Sequence, residues 1–204
     1  MYIPKQFEAI DHVVTLEVMR AHNFATIVTT QADGAPLASH VPVIVENTND
    51  SVLLRFHFAR ANPHAALLLE SKSPSMFAFM GPHAYMSPSV YPDLRRVPTW
   101  NYIAVHAYGL PVEVIGDEKK DALLKSLIAL HEPAYAEQWR GLDAAYQATM
   151  LGAIVAFEMP VSKLESKFKL NQHRKEAHAA MKASYGSGSP DEKALAHWME
   201  RLGL

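Results

Sequence analysis

The chain has 204 residues, a formal net charge of −2 and no cysteine. This length suits one domain, or one domain with a small appendage, and it can bury a sizeable core without disulfide bonds. The near-neutral charge argues against a protein that holds DNA mainly through phosphate contacts. No stretch approaches eighteen apolar residues and the first residues do not resemble a signal peptide, so we expect a cytoplasmic protein with no membrane partner.

The first third of the chain predicts one helix followed by short strands and a second helix. Helical spacing predicts a helix over Glu8–His22, with one face made of Ile10, Val13, Val14 and Ala21. Alternation and β-forming residues predict strands over Phe24–Thr30, Ala35–Glu46, Val52–Ala59 and Ser75–Gly81. Pro42 restricts its strand to a sheet edge or a bulge. Asn62 and Pro63 predict the start of a short helix, as N-cap and first helical residue.

The stretch from Gly81 to Gly109 is the most distinctive part of the chain, with four of its thirteen prolines. Its middle, Ser87 to Pro98, cannot be regular because prolines remove backbone donors and restrict the preceding residue. Loops of this length inside a domain are commonly functional, although a stiff loop that only covers a sheet edge is an equal alternative. After Pro98 the sequence alternates between an aliphatic and an aromatic, partly polar face, which predicts a strand reaching Ile115.

The remaining elements are predicted from helix signals and prolines. Asp117 caps a helix; weaker helical spacing covers Glu137–Met150; a strand over Ala153–Met159 ends at Pro160. Basic sequence then leads into a helix over Ser166–Ala183. A Gly- and Ser-rich break precedes the last helix, which starts with a capping box of Ser189 and Glu192.

These elements predict a mainly β protein with helices: six or more mostly antiparallel strands in a barrel, with helices against it. A parallel doubly wound sheet is disfavoured because the first three strands lack crossover helices. We expect one domain over residues 1–184 and a helical extension over residues 185–204 packed on it.

The sequence motifs indicate neither a catalytic residue nor a metal site. The sequence lacks GxGxxG, GxxxxGK[ST], HExxH and GxSxG, and its eleven histidines show no ligand spacing. The basic segment 161–182 favours a solvated face, with a nucleic-acid patch or a site for a phosphorylated ligand as alternatives. The Gly- and Ser-rich break between the predicted helix over Ser166–Ala183 and the last helix is too long for the turn of a helix-turn-helix motif.

Five ordered motifs resemble the PaiB-type proteins, which are described as FMN-binding negative transcriptional regulators of bacteria. They are MYIP at 1–4 with Phe7, HFARANPH at 57–64, YMSPSVYP at 85–92, VPTWNYIAVHAYG at 97–109 and KFKLNQHR at 167–174. The resemblance covers the chain from Met1 to about Met181. One departure is Asn171-Gln172-His173, where the family more often has Ser-Gln-Asn.

The resemblance implies the FMN-binding split barrel of pyridoxamine-phosphate-oxidase-like proteins, a homodimer with FMN near the subunit interface. It implies that Arg60 and Asn62 lie where related flavoproteins hold the phosphate, and that Trp100 and Asn101 border the flavin or its ribityl chain. The other implied FMN contacts are Ser87, Ser89, Tyr91, Lys167, Lys169 and Gln172. An FMN phosphate is about a dianion, so two or three cations among these residues are the right number.

Three hypotheses for the function remain open at this point. The first is a dimeric FMN-binding regulator of transcription, for which DNA is a further partner. The second is a flavin-dependent oxidoreductase that acts on a small substrate. The third is a repressor that keeps the barrel and has lost the flavin. Fold alone does not choose among them.

Overall fold

The computed structural model describes residues 1–8, 11–48 and 51–204. The strands in these ranges are β1 (Phe24–Thr30), β2 (Pro36–Pro42), β3 (Ile44–Thr48), β4 (Ser51–Ala59), β5 (Ser75–Met86), β6 (Thr99–Gly109), β7 (Val112–Glu113) and β8 (Ile154–Lys169). The helices are α1 (His12–Ala21), α2 (Pro63–Glu70), α3 (Asp117–His131), α4 (Tyr135–Gly141), α5 (Ala144–Gly152), α6 (His178–Gly186) and α7 (Pro190–Arg201). Short 3-10 turns cover Lys5–Phe7, Pro88–Val90 and Lys175–Ala177.

The strands are hydrogen-bonded in the order β2-β1-β5-β6-β8-β4-β3, and β7 pairs with β8. The pairs β1–β2, β1–β5, β3–β4, β4–β8 and β7–β8 are antiparallel. The order ends at β2 on one side and β3 on the other, so the sheet is not closed. The predicted class, a mainly β protein with helices and mostly antiparallel strands, is confirmed.

The described chain divides into two compact units, each made of separated segments. The first unit contains Met1–His22, Phe79–His106 and Glu165–Leu204, and the second contains Asn23–Ala78 and Ala107–Leu164. The last helix, α7, belongs to the first unit. The strands β5, β6 and β8 each begin in one unit and end in the other.

Aromatic side chains form the core of the second unit. The ring of Phe56 lies 4.9 Å from that of Phe77 and 5.5 Å from that of Phe157, measured between centroids. Phe58 packs edge-on against Phe56 at 5.9 Å. Alternation along β4 buries both of these phenylalanines, as the sequence predicts, because successive strand residues face opposite sides.

Two helix starts follow the predicted capping chemistry. The Asn62 side chain accepts a hydrogen bond from the His64 N–H at 2.9 Å, ahead of Pro63 in the first turn of α2. At α7 the Ser189 hydroxyl and the Glu192 carboxylate complete a capping box. Both signals are local, so they do not depend on the tertiary contacts that a single sequence hides.

The first helix differs from the prediction in its start and in its buried face. It begins after the N-cap Asp11, whose carboxylate accepts from the Val13 N–H at 2.8 Å. Val13 itself is exposed, whereas Leu16 and Met19 are buried, so the predicted apolar face was wrong. Apolar residues on more than one side of α1 allow more than one choice of face. Ile10 lies outside the described residues.

Two prolines act differently in their strands. The predicted strand over residues 35–46 is interrupted at Val43, because Pro42 ends β2 at one end of the sheet order and Ile44 starts β3 at the other. The predicted edge position of Pro42 is confirmed. Pro160, by contrast, does not end β8. It forms the last pair of the β4–β8 ladder, opposite Leu53. Because the pairing with β4 ends there, the strand loses no further hydrogen bond to β4 through the N–H that proline lacks.

The predicted helix over Ser166–Ala183 was wrong in its first half. The chain continues as β8 to Lys169, and the helix α6 begins only at His178. The predicted helix over residues 137–150 is two helices, because the Asp143 side chain accepts from the Ala145 N–H at 3.1 Å and starts α5. Basic residues are compatible with both strand and helix, so composition could not show that the segment from Ser166 to Lys169 is a strand.

The strand predicted to reach Ile115 ends at Gly109, and β7 follows as a separate short strand. A Cβ at Gly109 would lie 2.3 Å from the Pro160 carbonyl oxygen, so this close backbone approach requires glycine. Gly116, with φ of 99°, is the N-cap of α3, and Asp117 is its first residue. The acidic side chain still favours the positive end of the helix dipole.

Candidate functional site

One face of β6 forms an aromatic hollow in the first unit. Trp100, Tyr102 and His106 alternate along the strand with buried residues, as the period-two pattern predicts. The hollow has a volume of about 530 Å³ and is lined by Met1, Met80, His83, Trp100, Tyr102, Ala104 and His106. Pockets for small ligands have volumes of about 300–1,000 Å³, so a flat aromatic molecule fits this space.

Stacked rings and one buried cation border the aromatic hollow. The rings of Trp100 and His83 are stacked, with centroids 6.0 Å apart and planes at 28°. The His83 Nε2 atom lies 3.8 Å from an Asp191 carboxylate oxygen. The Lys167 ammonium lies 5.3 Å from the centroid of the Tyr102 ring and is buried. The arrangement holds the indole in place and puts positive charge beside the aromatic face.

A second concave region of the first unit, here called the cationic hollow, has a volume of about 260 Å³. It is lined by Phe7, Tyr91, Arg95, Arg96, Val97, Thr99, Lys169, Asn171, His173 and Arg174. The Lys169 ammonium donates to the Trp100 carbonyl at 2.6 Å and to the Thr99 hydroxyl. Arg96 lies over the Tyr91 ring, 5.1 Å from its centroid.

Burial and like charges shift the pKa values of the titratable groups in the cationic hollow. Burial lowers the pKa of Lys169, and the positive charge of Lys167 lowers it further. Burial also lowers the pKa of His173, with an added contribution from Arg174. The pKa of Tyr91 is raised, mainly by burial. Burial is the main cause of all three shifts, and neighbouring cations add to the lowering at Lys169 and His173.

Asn101 and Gln172 use their side chains inside the protein. Asn101 is fully buried, and its Nδ2 donates to the Tyr185 hydroxyl at 3.1 Å. Its Oδ1 has no hydrogen-bond partner in the described part of the chain. Gln172 donates to the Phe168 carbonyl and accepts from the Leu170 N–H at 3.0 Å, so its amide closes the turn after β8.

Ser87 and Ser89 start the short 3-10 turn in the proline-rich loop. The Ser87 hydroxyl accepts from the Ser89 N–H at 3.2 Å, and the two hydroxyl oxygens lie 2.9 Å apart. Neither serine lines one of the two hollows. Of the FMN contacts implied by the resemblance, Tyr91 and Lys169 are therefore brought together at the cationic hollow, and Trp100 lies at the aromatic one.

Arg60 and Asn62 belong to the second unit. The Arg60 guanidinium is exposed and donates to the carbonyls of Gly152 and Ile154, at 2.7 and 3.1 Å. Asn62 caps α2, as described above. Next to it, His64 is buried and bonded to the hydroxyls of Ser39 and Thr29, each at 2.9 Å. Burial lowers the pKa of His64, so this imidazole is held in its neutral form.

Three arginines and one histidine of the cationic hollow are not among the FMN contacts that the resemblance implies. They are Arg95, Arg96, His173 and Arg174. The dipeptide Arg95-Arg96 inside a proline-rich loop was a usable signal, because loops of this kind commonly carry function. The convergence of this dipeptide with Arg174, which precedes the 3-10 turn Lys175–Ala177, depends on tertiary structure.

The described ranges 1–8, 11–48 and 51–204 contain neither a metal-binding cluster nor a helix that could span a membrane. No group of three or more His, Asp or Glu side chains in these ranges is close enough to hold a metal ion. Within the same ranges, no helix has the length and apolar composition needed to cross a membrane.

Residues 1–163 match the family model described as "Putative FMN-binding domain". The chain belongs to this family. FMN is accordingly its cofactor. The chain is also 31% identical over 207 residues to "Protease synthase and sporulation protein PAI 2" of Bacillus subtilis, and the alignment covers 98% of this chain and 97% of that protein. The resemblance to PaiB-type proteins is thereby confirmed.

Solved structures with a similar fold include two that are named for flavin or haem. The FAD and heme binding protein from Mycobacterium smegmatis has a TM-score of 0.61 at 16% identity, covering 79% of this chain and 73% of that one. The flavocytochrome Anf3 from Azotobacter vinelandii has a TM-score of 0.62 at 12% identity, covering 82% and 72%. At these identities the likeness shows the fold, and the predicted split-barrel flavoprotein fold is confirmed.

The first unit has side chains of the types that bind the ring system and the phosphate of FMN. A planar ring system suits the aromatic face that carries Trp100 and Tyr102, where stacking is favourable. A phosphate suits cationic side chains such as Lys167 and Lys169. The unpartnered Oδ1 of Asn101 is a buried acceptor of the type that polar cofactor groups satisfy.

Proposed function

We propose that this protein is a cytoplasmic, homodimeric FMN-binding regulator that represses transcription. The observation that carries the flavin part is the aromatic hollow of about 530 Å³ on β6, with Trp100 at its border. The regulatory part is supported by the full-length similarity to the PAI 2 protein of Bacillus subtilis, whose name refers to sporulation. FMN, when bound, supplies reversible electron transfer and a visible absorption band.

Exposed apolar side chains in the first unit support the dimer. Met80, Tyr85 and Trp100 are 57%, 50% and 48% exposed, although they lie on or beside the strands β5 and β6. The Tyr85 and Trp100 rings contact each other edge-on at 6.4 Å. An exposed apolar group of this kind is typical of an interaction surface, and a second copy of the chain would remove it from water.

The basic segment 161–182 gives little support to direct DNA binding. Lys167 donates to the Tyr2 carbonyl at 3.0 Å, Lys169 to the Trp100 carbonyl, and Lys182 to the Leu204 backbone oxygen. Because these ammonium groups are bonded and none of the three lysines is fully exposed, they do not form the exposed basic stripe that duplex binding uses. We therefore expect repression to depend on other surfaces of the dimer.

A second candidate function, a flavin-dependent oxidoreductase, is favoured by the openness of the aromatic hollow. The Trp100 indole is half exposed, which leaves room for a small substrate beside a bound isoalloxazine. In that function the residues of this chain position the flavin and the substrate. No catalytic residue is assigned to either candidate.

The test is a visible absorption spectrum of the purified chain before and after incubation with FMN and desalting. We expect a retained flavin band at one FMN per chain, and a Trp100→Ala variant that retains less. A wild-type chain without flavin after loading would refute the cofactor assignment. Duplex binding with a steep salt dependence would support the regulator, whereas NADPH oxidation that requires FMN would support the oxidoreductase.

A further inference from the structure

The cationic hollow carries more positive charge than its own carboxylates neutralise. Arg96 is paired with Asp93 at 2.7 Å and with Glu176 at 3.3 Å. In the described part of the chain, the guanidinium groups of Arg95 and Arg174 take part in no ion pair or hydrogen bond. Among the described residues, Arg95 and Arg174 are thus left without an ion-pair partner beside the paired Arg96.

The ammonium of Lys169 adds to this excess. Its hydrogen bonds go to two neutral oxygens, the Thr99 hydroxyl and the Trp100 carbonyl. Its lowered pKa reflects burial and the repulsion of Lys167. Holding like charges together costs free energy, and a bound anion would offset this cost.

A purely structural role explains only part of the cluster. Arg96 clamps the proline-rich loop, because it pairs with Asp93 inside the loop and with Glu176 after β8, and it lies over Tyr91. Within the described residues, the guanidinium groups of Arg95 and Arg174 make no such contact. Their placement at the same hollow is therefore better explained by a ligand than by packing.

The donors and the size of the hollow define the class of ligand. Guanidinium groups present paired N–H donors that match phosphate oxygens, and the Tyr91 and Thr99 hydroxyls can add neutral hydrogen bonds. A volume of about 260 Å³ is below the range of pockets that enclose a drug-sized molecule. The space suits one anionic group of a larger ligand, or a small anion.

We propose that the cationic hollow is a phosphate-binding site formed by Arg95, Lys169 and Arg174. The phosphate belongs either to FMN itself or to a second phosphorylated small molecule. The site does not depend on whether the protein regulates transcription or transfers electrons.

The first experiment titrates inorganic phosphate into the flavin-free full chain at low ionic strength, followed by calorimetry. We expect saturable binding to the wild type and at least tenfold weaker binding to Arg95→Gln/Arg174→Gln, because each charge-assisted contact is worth about tenfold in affinity. The matched control is Lys119→Gln/Lys175→Gln, which removes the same charge from exposed residues outside the hollow. Absent phosphate binding, or equal weakening in both double variants, would overturn the proposal.

Folding is checked by the thermal midpoint of each variant. If the arginine double variant is unstable, Arg95→Gln alone is used, because this exposed side chain takes part in no hydrogen bond or ion pair within the described residues. Phosphate binding by Arg95→Gln with wild-type affinity would then count against the site.

The second experiment identifies the source of the phosphate by comparing FMN with riboflavin, which lacks it. If the site holds the FMN phosphate, the arginine variant weakens FMN but not riboflavin, and inorganic phosphate competes with FMN. If the ligand is a second molecule, FMN affinity is unchanged and phosphate binds the flavin-loaded chain. If the chain binds phosphate but no flavin, the proposed function is refuted, whereas the phosphate site at the cationic hollow is still supported.

Discussion

The buried pair of Asn101 and Tyr185 gives a prediction whose size follows from hydrogen bonding. Both side chains are fully buried, and the Asn101 Nδ2 donates to the Tyr185 hydroxyl. Tyr185→Phe leaves this donor without an acceptor. We expect the free energy of unfolding to fall by about 1–3 kcal/mol, the usual cost of an unsatisfied buried polar group. In a chain of this size, each kcal/mol lowers the midpoint of thermal unfolding by about 2–4 °C.

A double-mutant cycle separates this hydrogen bond from general packing. Asn101→Leu should cost a similar amount, because the Tyr185 hydroxyl then loses its donor. Asn101→Leu/Tyr185→Phe removes both polar groups and should cost less than the sum of the single variants, with a coupling of about 1 kcal/mol or more. The assay is urea unfolding followed by tryptophan fluorescence, with Tyr146→Phe, at an exposed tyrosine, as the control. Additivity within about 0.5 kcal/mol would refute the reasoning.

The same variants test the predicted contact of Asn101 with FMN. Tyr185→Phe keeps the Asn101 amide, whereas Asn101→Leu removes it. If the unpartnered Oδ1 of Asn101 contacts the flavin, FMN affinity falls in Asn101→Leu more than in Tyr185→Phe. Equal FMN affinity in both variants would limit Asn101 to the core.

Three further predictions concern the cofactor, the last helix and pH. Arg60→Ala should weaken FMN at least tenfold in a fluorescence titration, and unchanged affinity would remove Arg60 from the site. Trp198→Ala, which loses the ring contact with Phe168 at 5.8 Å, should lower the free energy of unfolding by about 3–5 kcal/mol without a flavin-specific defect. Burial lowers the pKa values of His57 and His64, so the unfolded chain binds more protons than the folded chain below about pH 6.5. The urea concentration at the unfolding midpoint should therefore decrease when the pH is lowered from about 7.5 to about 5.5. An unchanged midpoint would contradict this.

Local signals in the sequence predicted much of the fold. Alternation in β4 and capping at α2 and α7 depend on neighbouring residues, so a single sequence contains them. The strand through Pro160 and the buried face of α1 depend on partners that are distant in sequence. The α4–α5 break was missed although its signal is local, because the Asp143 side chain caps α5 two residues ahead.

The candidate site was predictable in residue type but not in arrangement. Strand alternation placed Trp100 at an aromatic face, whereas Tyr91 and Lys169 were expected as FMN contacts only because the resemblance implies them. The convergence of Arg95 and Arg174 at one hollow could not be predicted, since the proline-rich loop and the segment after β8 meet only in the folded chain. The places of all the residues implied as FMN contacts, Ser87 and Ser89 included, remain predictions.

The discontinuous units have a consequence for how this protein is made. The first unit needs Glu165–Leu204, so α1 leaves the ribosome long before its partners exist. At synthesis rates of about 5–20 residues per second, that helix waits for about ten seconds or more with its apolar residues unpacked. Neither unit can be obtained by truncating the chain at one end. A chain whose synthesis stalls exposes apolar surface and is prone to aggregate. Expression at lower temperature, or with chaperones, should therefore raise the soluble yield more than for a protein with sequential domains.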